Sequence, residues 1–398
     1  SSCEAEIYAG ARAAQELRWL TYLLTDLGEA PRSPPVLYVN NKAMLALCQE
    51  HGQEHRTKHI SLRYVLAREL QQRGQLCLAY VASQANTADV FTNALQPCDH
   101  QPCFVFLDWS CDLLVSPTLS MGFNSFLSRY SHTSCTLWTS AQLSRGAVCT
   151  KRSGCTAHLA SLSRILHVRS GASAGQSTVY ARCLASGRTT LAALGFAPST
   201  ANPSLFLHID TSLPPFYVLM YVDDLVFTTA ETKAMTLVKS ELQKRQTYTD
   251  LDELRNYLRL QITQDRARGT ITLNLSHMVH QVLQGFGFTY SSPQSTPLPT
   301  GHSLSAPPSD ESLEPSGPYP EIVGYLMYLM TCTRPDLAYP LAILARYVAH
   351  GTHKKEQLDA AKRVLRYLCS TSGMGPVLGG RAPVVLIGHA DASWNPNH

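Results

Sequence analysis

No stretch of the 398 residues reaches the roughly 18 unbroken apolar positions that a membrane-spanning helix needs. The longest candidate, Phe216 to Phe227, is interrupted by Asp223 and Asp224. An excess of one charge is missing too: 33 Lys and Arg against 29 Asp and Glu leave a formal net charge of +4. Such a balance is compatible with a nucleic-acid partner but does not argue for one, because the local distribution of charge matters more than its sum. An initiator Met and a signal peptide are absent, the sequence opening Ser1-Ser2-Cys3, so a fragment or a processed product is expected. The 12 cysteines lack the regular spacing of a stapled secreted domain, and a reduced, intracellular protein is the expectation. Cys98, His100, Cys103 and Cys111 form no paired Cys-x-x-Cys, so a zinc knuckle is not read there.

What is present is the composition of a globular protein, 44% hydrophobic and long enough for two or three domains. In residues 1–96, Ile7, Ala11, Ala14, Leu17, Leu20 and Leu24 recur near the helical period, predicting a helix over Glu4 to Leu24. Pro31 to Pro35 ends it, Val36 to Val39 reads as a strand, and helices follow from Lys42 and over Ile60 to Arg73. Leu76 to Val81 is a further strand, giving the texture of an α/β layer. Residues 97–179 are rich in Ser, Thr, Cys and Gly with poor periodicity, and regular structure is not expected there.

Order returns over 180–292. Phe216 to Val222 and Leu225 to Thr228 read as a hairpin, Lys233 to Arg245 as a helix, Thr270 to Leu275 as a strand and Met278 to Gly285 as a short helix. A Pro/Ser-rich linker occupies 293–320. The segment 321–370 is helical, over Ile322 to Cys332, Leu337 to His350 and Lys354 to Leu368. Within 371–398 a last strand, Val384 to Ala390, runs into Asp391.

The sharpest chemical feature is Tyr221-Val222-Asp223-Asp224. Adjacent carboxylates in an apolar hairpin lose hydration unless something compensates, and a divalent cation is the usual compensation. Phosphoryl transfer to a 3′-hydroxyl uses two metals ~3.5–4 Å apart that clamp the attacking and leaving oxygens. The tetrapeptide alone also fits an ordinary water-exposed turn. Its frame decides otherwise. Leu194-Gly195-Phe196 and Asn202-Pro203-Ser204-Leu205-Phe206 precede it; Asp252-Glu253-Leu254-Arg255-Asn256-Tyr257-Leu258 and Ser295-Thr296-Pro297-Leu298 follow. Further on come Gly324-Tyr325-Leu326-Met327-Tyr328-Leu329, Thr333-Arg334-Pro335-Asp336-Leu337-Ala338-Tyr339, and Ala360 to Leu368. From about 180 to 394 the chain resembles the reverse transcriptase region of copia-type retrotransposon Pol polyproteins.

The ends resemble RNase H of the same family. Ser1-Ser2-Cys3-Glu4-Ala5-Glu6 is similar to the helix bearing a catalytic glutamate, matched by Glu6; Arg56-Thr57-Lys58-His59-Ile60 also fits. Ala88-Asp89-Val90-Phe91-Thr92 places Asp89 at the last carboxylate, and Ala390-Asp391-Ala392-Ser393-Trp394 places Asp391 at the first. Read singly, Glu6 or Asp89 is a solvated surface acid. The order is displaced, because the later part of RNase H comes first and its first strand last.

The resemblance implies an α/β and α+β fold: a partial reverse transcriptase palm and connection with RNase H-like fragments at both termini. It implies Asp223, Asp224, Glu6, Asp89 and Asp391 as catalytic, Mg²⁺-binding carboxylates. It also implies RNA template, DNA primer, RNA–DNA hybrid and deoxynucleotides as partners, without a membrane, in a cytoplasmic particle or the nucleus. Lys355, Lys362, Arg363 and Arg366 on one predicted helix are expected to bind nucleic acid, a solvated helix face being the plain alternative.

Two departures from the family point to an impaired enzyme. The palm's third aspartate motif has no match, Asp108 being a poor substitute, and Asn40 stands where the family's RNase H has Asp. If the ends meet, Glu6, Asp89 and Asp391 should converge away from Asp223 and Asp224. Two central RNase H strands are missing, which should leave a sheet edge exposed. The rival expectations are a non-catalytic nucleic-acid-binding remnant and an unstable pseudogene product.

Overall fold

A computed structural model describes residues 2–49, 62–93, 147–152, 164–170, 187–210, 215–221, 224–229, 232–245, 248–299, 317–348, 355–379 and 385–392. These form three sheets and a helical layer, a mixed α/β fold consistent with a reverse transcriptase domain. Among the described residues no helix is long and apolar enough to cross a membrane.

The first sheet joins the two ends of the chain. Strand β1 (Val36–Val39) pairs in parallel with β2 (Cys77–Tyr80) on one side and with β14 (Val385–Ala390) on the other. Strand β3 (Ala147–Arg152) pairs antiparallel to β14 along its whole length, from Val385↔Arg152 to Ala390↔Ala147. The edge expected to be exposed is therefore occupied, and by a segment for which no regular structure was expected. Backbone pairing offered by β14 supplies what the local sequence of 147–152 does not advertise.

Helix α1 (Ser2–Asp26) lies over this sheet, burying Ile7, Ala14, Leu17, Leu20 and Leu24 against Leu37, Val39 and Leu386. Its close approach needs Gly388. A Cβ there would meet Leu17 at 2.9 Å and Leu37 at 3.1 Å. The helix stops at Gly28, whose φ of 74° permits the reversal; Gly28 N–H donates to Thr25 and Glu29 N–H to Leu24, a paired C-terminal cap. Helices α2 (Lys42–Gln49) and α3 (Leu62–Gln72) complete this layer with Met44, Leu45, Ala67 and Leu70.

The second unit is a six-stranded antiparallel sheet in the order β5-β6-β7-β8-β4-β9. It comprises β4 (Arg164–Ser170), β5 (Phe196–Pro198), β6 (Leu205–His208), β7 (Phe216–Tyr221), β8 (Asp224–Thr229) and β9 (Tyr248–Glu253). Phe196, Phe206, Phe216, Val218 and Phe227 pack with Met235, Val238 and Leu242 of α4 (Thr232–Arg245). Strand β4 is another element found where none was expected. A smaller sheet, β10 (Asn256–Tyr257), β11 (Leu260–Asp265), β12 (Thr270–Asn274) and β13 (Val377–Gly379), is also antiparallel.

Helices α5 (Ser276–Gly285), α6 (Tyr319–Cys332), α7 (Ala338–Leu344) and α8 (Lys355–Ser370) share the third core, around Val279, Ile322, Leu326, Leu341, Val364 and Leu368. The helix expected over Leu337 to His350 is shorter: 3₁₀ turns at Pro335–Leu337 and Ala345–Tyr347 flank α7, the tighter geometry common at helix ends.

The end of α1 docks on the second sheet. Asp26 accepts from Ser199 Oγ (2.6 Å), Thr200 Oγ1 (3.0 Å) and the Ala201 N–H (3.2 Å). Trp19 Nε1 donates to the Ala201 carbonyl (2.9 Å) and Tyr217 Oη to the Leu27 carbonyl (2.8 Å). Asp26→Ala removes a charged acceptor from three donors and is expected to cost about 1.5–3 kcal/mol. Asp26→Asn should cost less. Urea unfolding checks both; a cost below about 0.5 kcal/mol would mean that water replaces the carboxylate.

Candidate functional site

The parallel pairing of β1 with β14 brings positions from opposite ends of the chain together at the C-terminal edges of both strands. Asp391 follows β14 and Asn40 follows β1; Asn40 Nδ2 donates to Asp391 Oδ1 at 2.7 Å. The 3₁₀ turn Thr87–Phe91 closes over this edge. Asn86 caps it, accepting from the Ala88 N–H, and its Nδ2 ties the turn to the Ala390 carbonyl at 3.1 Å. Thr92 Oγ1 donates to the other carboxylate oxygen of Asp391.

Glu6 reaches the same place from α1. It is buried, and burial first, then the Asp391 charge and more weakly that of Asp89, push its carboxyl up to about 7. Asp89 is pushed up to about 7 by burial, by the Asp391 charge and by a hydrogen bond with Asp391. Glu6, Asp89 and Asp391 thus converge, held by a surrounding set of Asn40, Asn86 and Thr92 that the sequence reading named only in part. Asn86 stands out in the sequence only as a helix-capping residue type ahead of Ala88.

The donor set suits a hard cation: carboxylate and amide oxygens, of which Glu6 Oε2, Asp89 Oδ1 and Asn40 Oδ1 are buried without a hydrogen-bond partner. Among the described residues, however, no three His, Cys, Asp or Glu side chains are grouped to share one metal ion. As it stands, Glu6 and Asp89 are acids raised by burial first and by the Asp391 charge second, with a hydrogen bond joining Asp89 to Asp391. His389, on β14 one residue before Ala390, stacks on Tyr38 with centroids 5.1 Å apart, and burial lowers its pKa to about 4.

At the acidic hairpin, β7 and β8 pair up to Tyr221↔Asp224, and Asp224 is buried. Asp223 lies outside the described residues, as do Asp108, the Arg56–Ile60 segment, Trp394 and the Cys98–Cys111 group. The strand beside β8 is β4, whose register sets Arg169 opposite Asp224. No residue of Arg164–Ser170 is acidic.

The expected basic face lies on α8. Lys355 is exposed, while Lys362, Arg363 and Arg366 are half-buried. Lys362 is 3.9 Å from Asp359, and Arg363 Nη2 donates to Thr296 Oγ1 at 3.3 Å. Arg366 lies over the Phe288 ring, 5.8 Å from its centroid. The face thus also anchors the 288–296 segment.

The reverse transcriptase (RNA-dependent DNA polymerase) family matches residues 177–300, which include the acidic hairpin. The chain is 32% identical over 180 residues to the Pol polyprotein of transposon TNT 1-94 from Nicotiana tabacum, covering 44% of this chain and 13% of that protein. It is 31% identical over 209 residues to a transposon Ty5-1 protein of Saccharomyces cerevisiae, covering 52% and 66%. It is 29% identical over 207 residues to the Pol polyprotein of transposon RE1 from Arabidopsis thaliana, covering 52% and 14%. No solved structure matches. Residues 177–300 thus carry reverse transcriptase sequence, and the chain is similar to the copia-type retrotransposon Pol polyproteins. It spans less than two thirds of each of these three relatives.

Proposed function

We propose that this chain is a rearranged segment of a retrotransposon Pol polyprotein: a reverse transcriptase core, with RNase H-type carboxylates assembled from the two ends of the chain. The observation that carries the polymerase reading is the family match across 177–300, with Asp224 buried at the hairpin it encloses. RNA template, DNA primer, RNA–DNA hybrid and deoxynucleotides are the partners of this reading. Its setting is a cytoplasmic retrotransposon particle or the nucleus.

Supporting the RNase H part are the sheet order β2-β1-β14-β3 and the meeting of Glu6, Asp89 and Asp391 at its edge. On this reading Asp391, Glu6 and Asp89 would draw closer than they now stand to hold Mg²⁺ at one site, and Asp223 with Asp224 would hold it at the other. The ion supplies charge stabilisation and a more acidic bound water. The chain's own groups do the positioning. Asn40 and Thr92 fix both oxygens of Asp391, Asn86 fixes the turn that carries Asp89, and Glu6 and Asp89 hold protons near neutrality when no cation is bound.

The proposal includes weakened chemistry at both sites. Asn40 offers a neutral oxygen where an anionic one would strengthen cation binding. At the hairpin, the sequence has no match to the family's third aspartate motif, which would supply a further carboxylate to the metals.

The test is Mg²⁺-dependent primer extension on an RNA template, comparing the chain with its Asp223→Asn variant. Slow extension that falls at least about a hundredfold in the variant supports the polymerase reading. No extension by either protein, with template–primer still bound, would replace it with a non-catalytic nucleic-acid-binding remnant. Failure to bind template–primer at all would overturn both.

A further inference from the structure

Tyr290 is 98% exposed, an unusual position for a large aromatic side chain. It is not carried on a loose segment. The backbone on either side is fastened to α8: Cys369 Sγ donates to the Phe288 carbonyl (3.3 Å) and Gln294 N–H to the Arg366 carbonyl (3.4 Å). Ser370 Oγ donates to the Gln294 carbonyl (3.3 Å), and Ser291 Oγ to the Phe288 carbonyl (2.9 Å). Arg363 and Arg366 add the Thr296 hydrogen bond and the Phe288 ring contact. The tyrosine is thus displayed by a fastened loop.

The charges beside it are unbalanced in one direction. Arg363 and Arg366 lie one helical turn apart, where like charges repel. Burial and the Arg366 charge both weaken the protonation of Arg363, and its Nε is buried without a hydrogen-bond partner. Residues 286–299 contain no acidic side chain, and Asp359, one turn before Arg363 on α8, lies 3.9 Å from Lys362. An anion would relieve the repulsion, and a flat apolar group would cover the ring. One ligand class offers both: a nucleic-acid strand with unpaired bases, whose phosphates meet cations and whose bases stack on aromatics. A closed duplex hides its base faces and would engage the arginines alone.

We propose that Tyr290 is a base-stacking platform which, with Arg363 and Arg366, holds single-stranded nucleic acid on the α8 face. The inference rests on the reading of the chain as a nucleic-acid-binding protein and adds the strand state that this face selects.

The experiment measures binding of a labelled short oligouridylate and of a blunt RNA–DNA hybrid to the full chain, by fluorescence anisotropy at fixed salt. Tyr290→Ala is expected to lose roughly tenfold in affinity for the single strand and to keep its affinity for the hybrid. Tyr290→Phe should retain both, because stacking needs the ring and not the hydroxyl. Arg363→Gln should weaken both ligands and lower the salt dependence by about one phosphate contact. Tyr290 is 98% exposed, so its variants leave the packed core untouched, and an unchanged thermal midpoint verifies this. Equal single-strand affinity in Tyr290→Ala and the parent chain, with both ligands bound, would overturn the stacking proposal alone. Failure of the parent chain to bind either ligand would overturn the underlying reading as well.

Discussion

At pH 8 without divalent cations, the Glu6→Gln, Asp89→Asn variant is expected to be more stable than the parent chain by about 3 kcal/mol or more, and near pH 4 to differ from it little. Glu6 moves from an ordinary 4.5 to about 7, and Asp89 from 3.8 to about 7, in both cases through burial first and the Asp391 charge next. These are raised acids. Between pH 4 and 7 the folded chain retains protons that the unfolded chain has released, so stability falls as pH rises through that window. A tenfold shift corresponds to about 1.4 kcal/mol, which gives on the order of 3 kcal/mol for each acid alone. Because both acids feel Asp391, the pair titrates as a unit and the sum is an upper bound. His389 works the other way: lowered to about 4 when folded, it makes stability rise between pH 4 and its ordinary 6.5. Both proteins carry His389, so the difference between them isolates the acids. Urea titrations at several pH values give that difference. A constant difference across pH would refute the electrostatic account. Adding Mg²⁺ at pH 8 should raise the melting temperature of the parent and leave the variant nearly unchanged, because only the parent keeps all three carboxylates.

How far the sequence carries depends on whether a signal is local. Helix α1 is visible because Leu17, Leu20 and Leu24 repeat on one face, and each is buried. The β7–β8 hairpin is visible because apolar runs flank the two aspartates, and it forms as read as far as Asp224. Strands β3 and β4 were not visible. Val148 and Thr150 on β3 and Ile165 and Val168 on β4 favour strand, but each run is short and lies in a Ser-, Thr- and Gly-rich stretch, and both segments pair with strands distant in sequence. The neighbourhood of Glu6, Asp89 and Asp391 followed from resemblance alone, since nothing local links residues more than 300 positions apart. The supporting Asn86 and Thr92 escaped because a capping Asn and a turn Thr look the same whether or not they hold a carboxylate.

Arg334→Ala is expected to cost about 3–5 kcal/mol, although Arg334 lies in no proposed catalytic site. The residue is 1% exposed and its partner Asp336 is 3% exposed. Arg334 Nε donates to Asp336 Oδ1 at 3.0 Å and Nη2 to Oδ2 at 2.7 Å, while Nη1 and Nη2 reach the Thr371 carbonyl and hydroxyl, each at 2.7 Å. Tyr367 completes the set, its hydroxyl donating to Asp336 Oδ2 at 3.0 Å and its ring lying 5.5 Å from the guanidinium carbon. Burial alone would weaken the Arg334 charge; the Asp336 carboxylate more than offsets this and raises its pKa. Truncating the arginine strands a buried carboxylate, which is where the cost arises. Replacing both members together, Arg334→Met with Asp336→Leu, should therefore cost far less than the two single changes combined. The network's position gives it a wider reach. Tyr367 and Thr371 fasten the end of α8, and the Pro335–Leu337 turn lies against the Thr87–Phe91 turn that carries Asp89. Amide exchange in Arg334→Ala should accordingly rise in α8 and in Thr87–Phe91 ahead of the β7–β8 hairpin. A cost below about 1 kcal/mol, the range of an exposed ion pair, would show that the network forms too loosely to bear on either element.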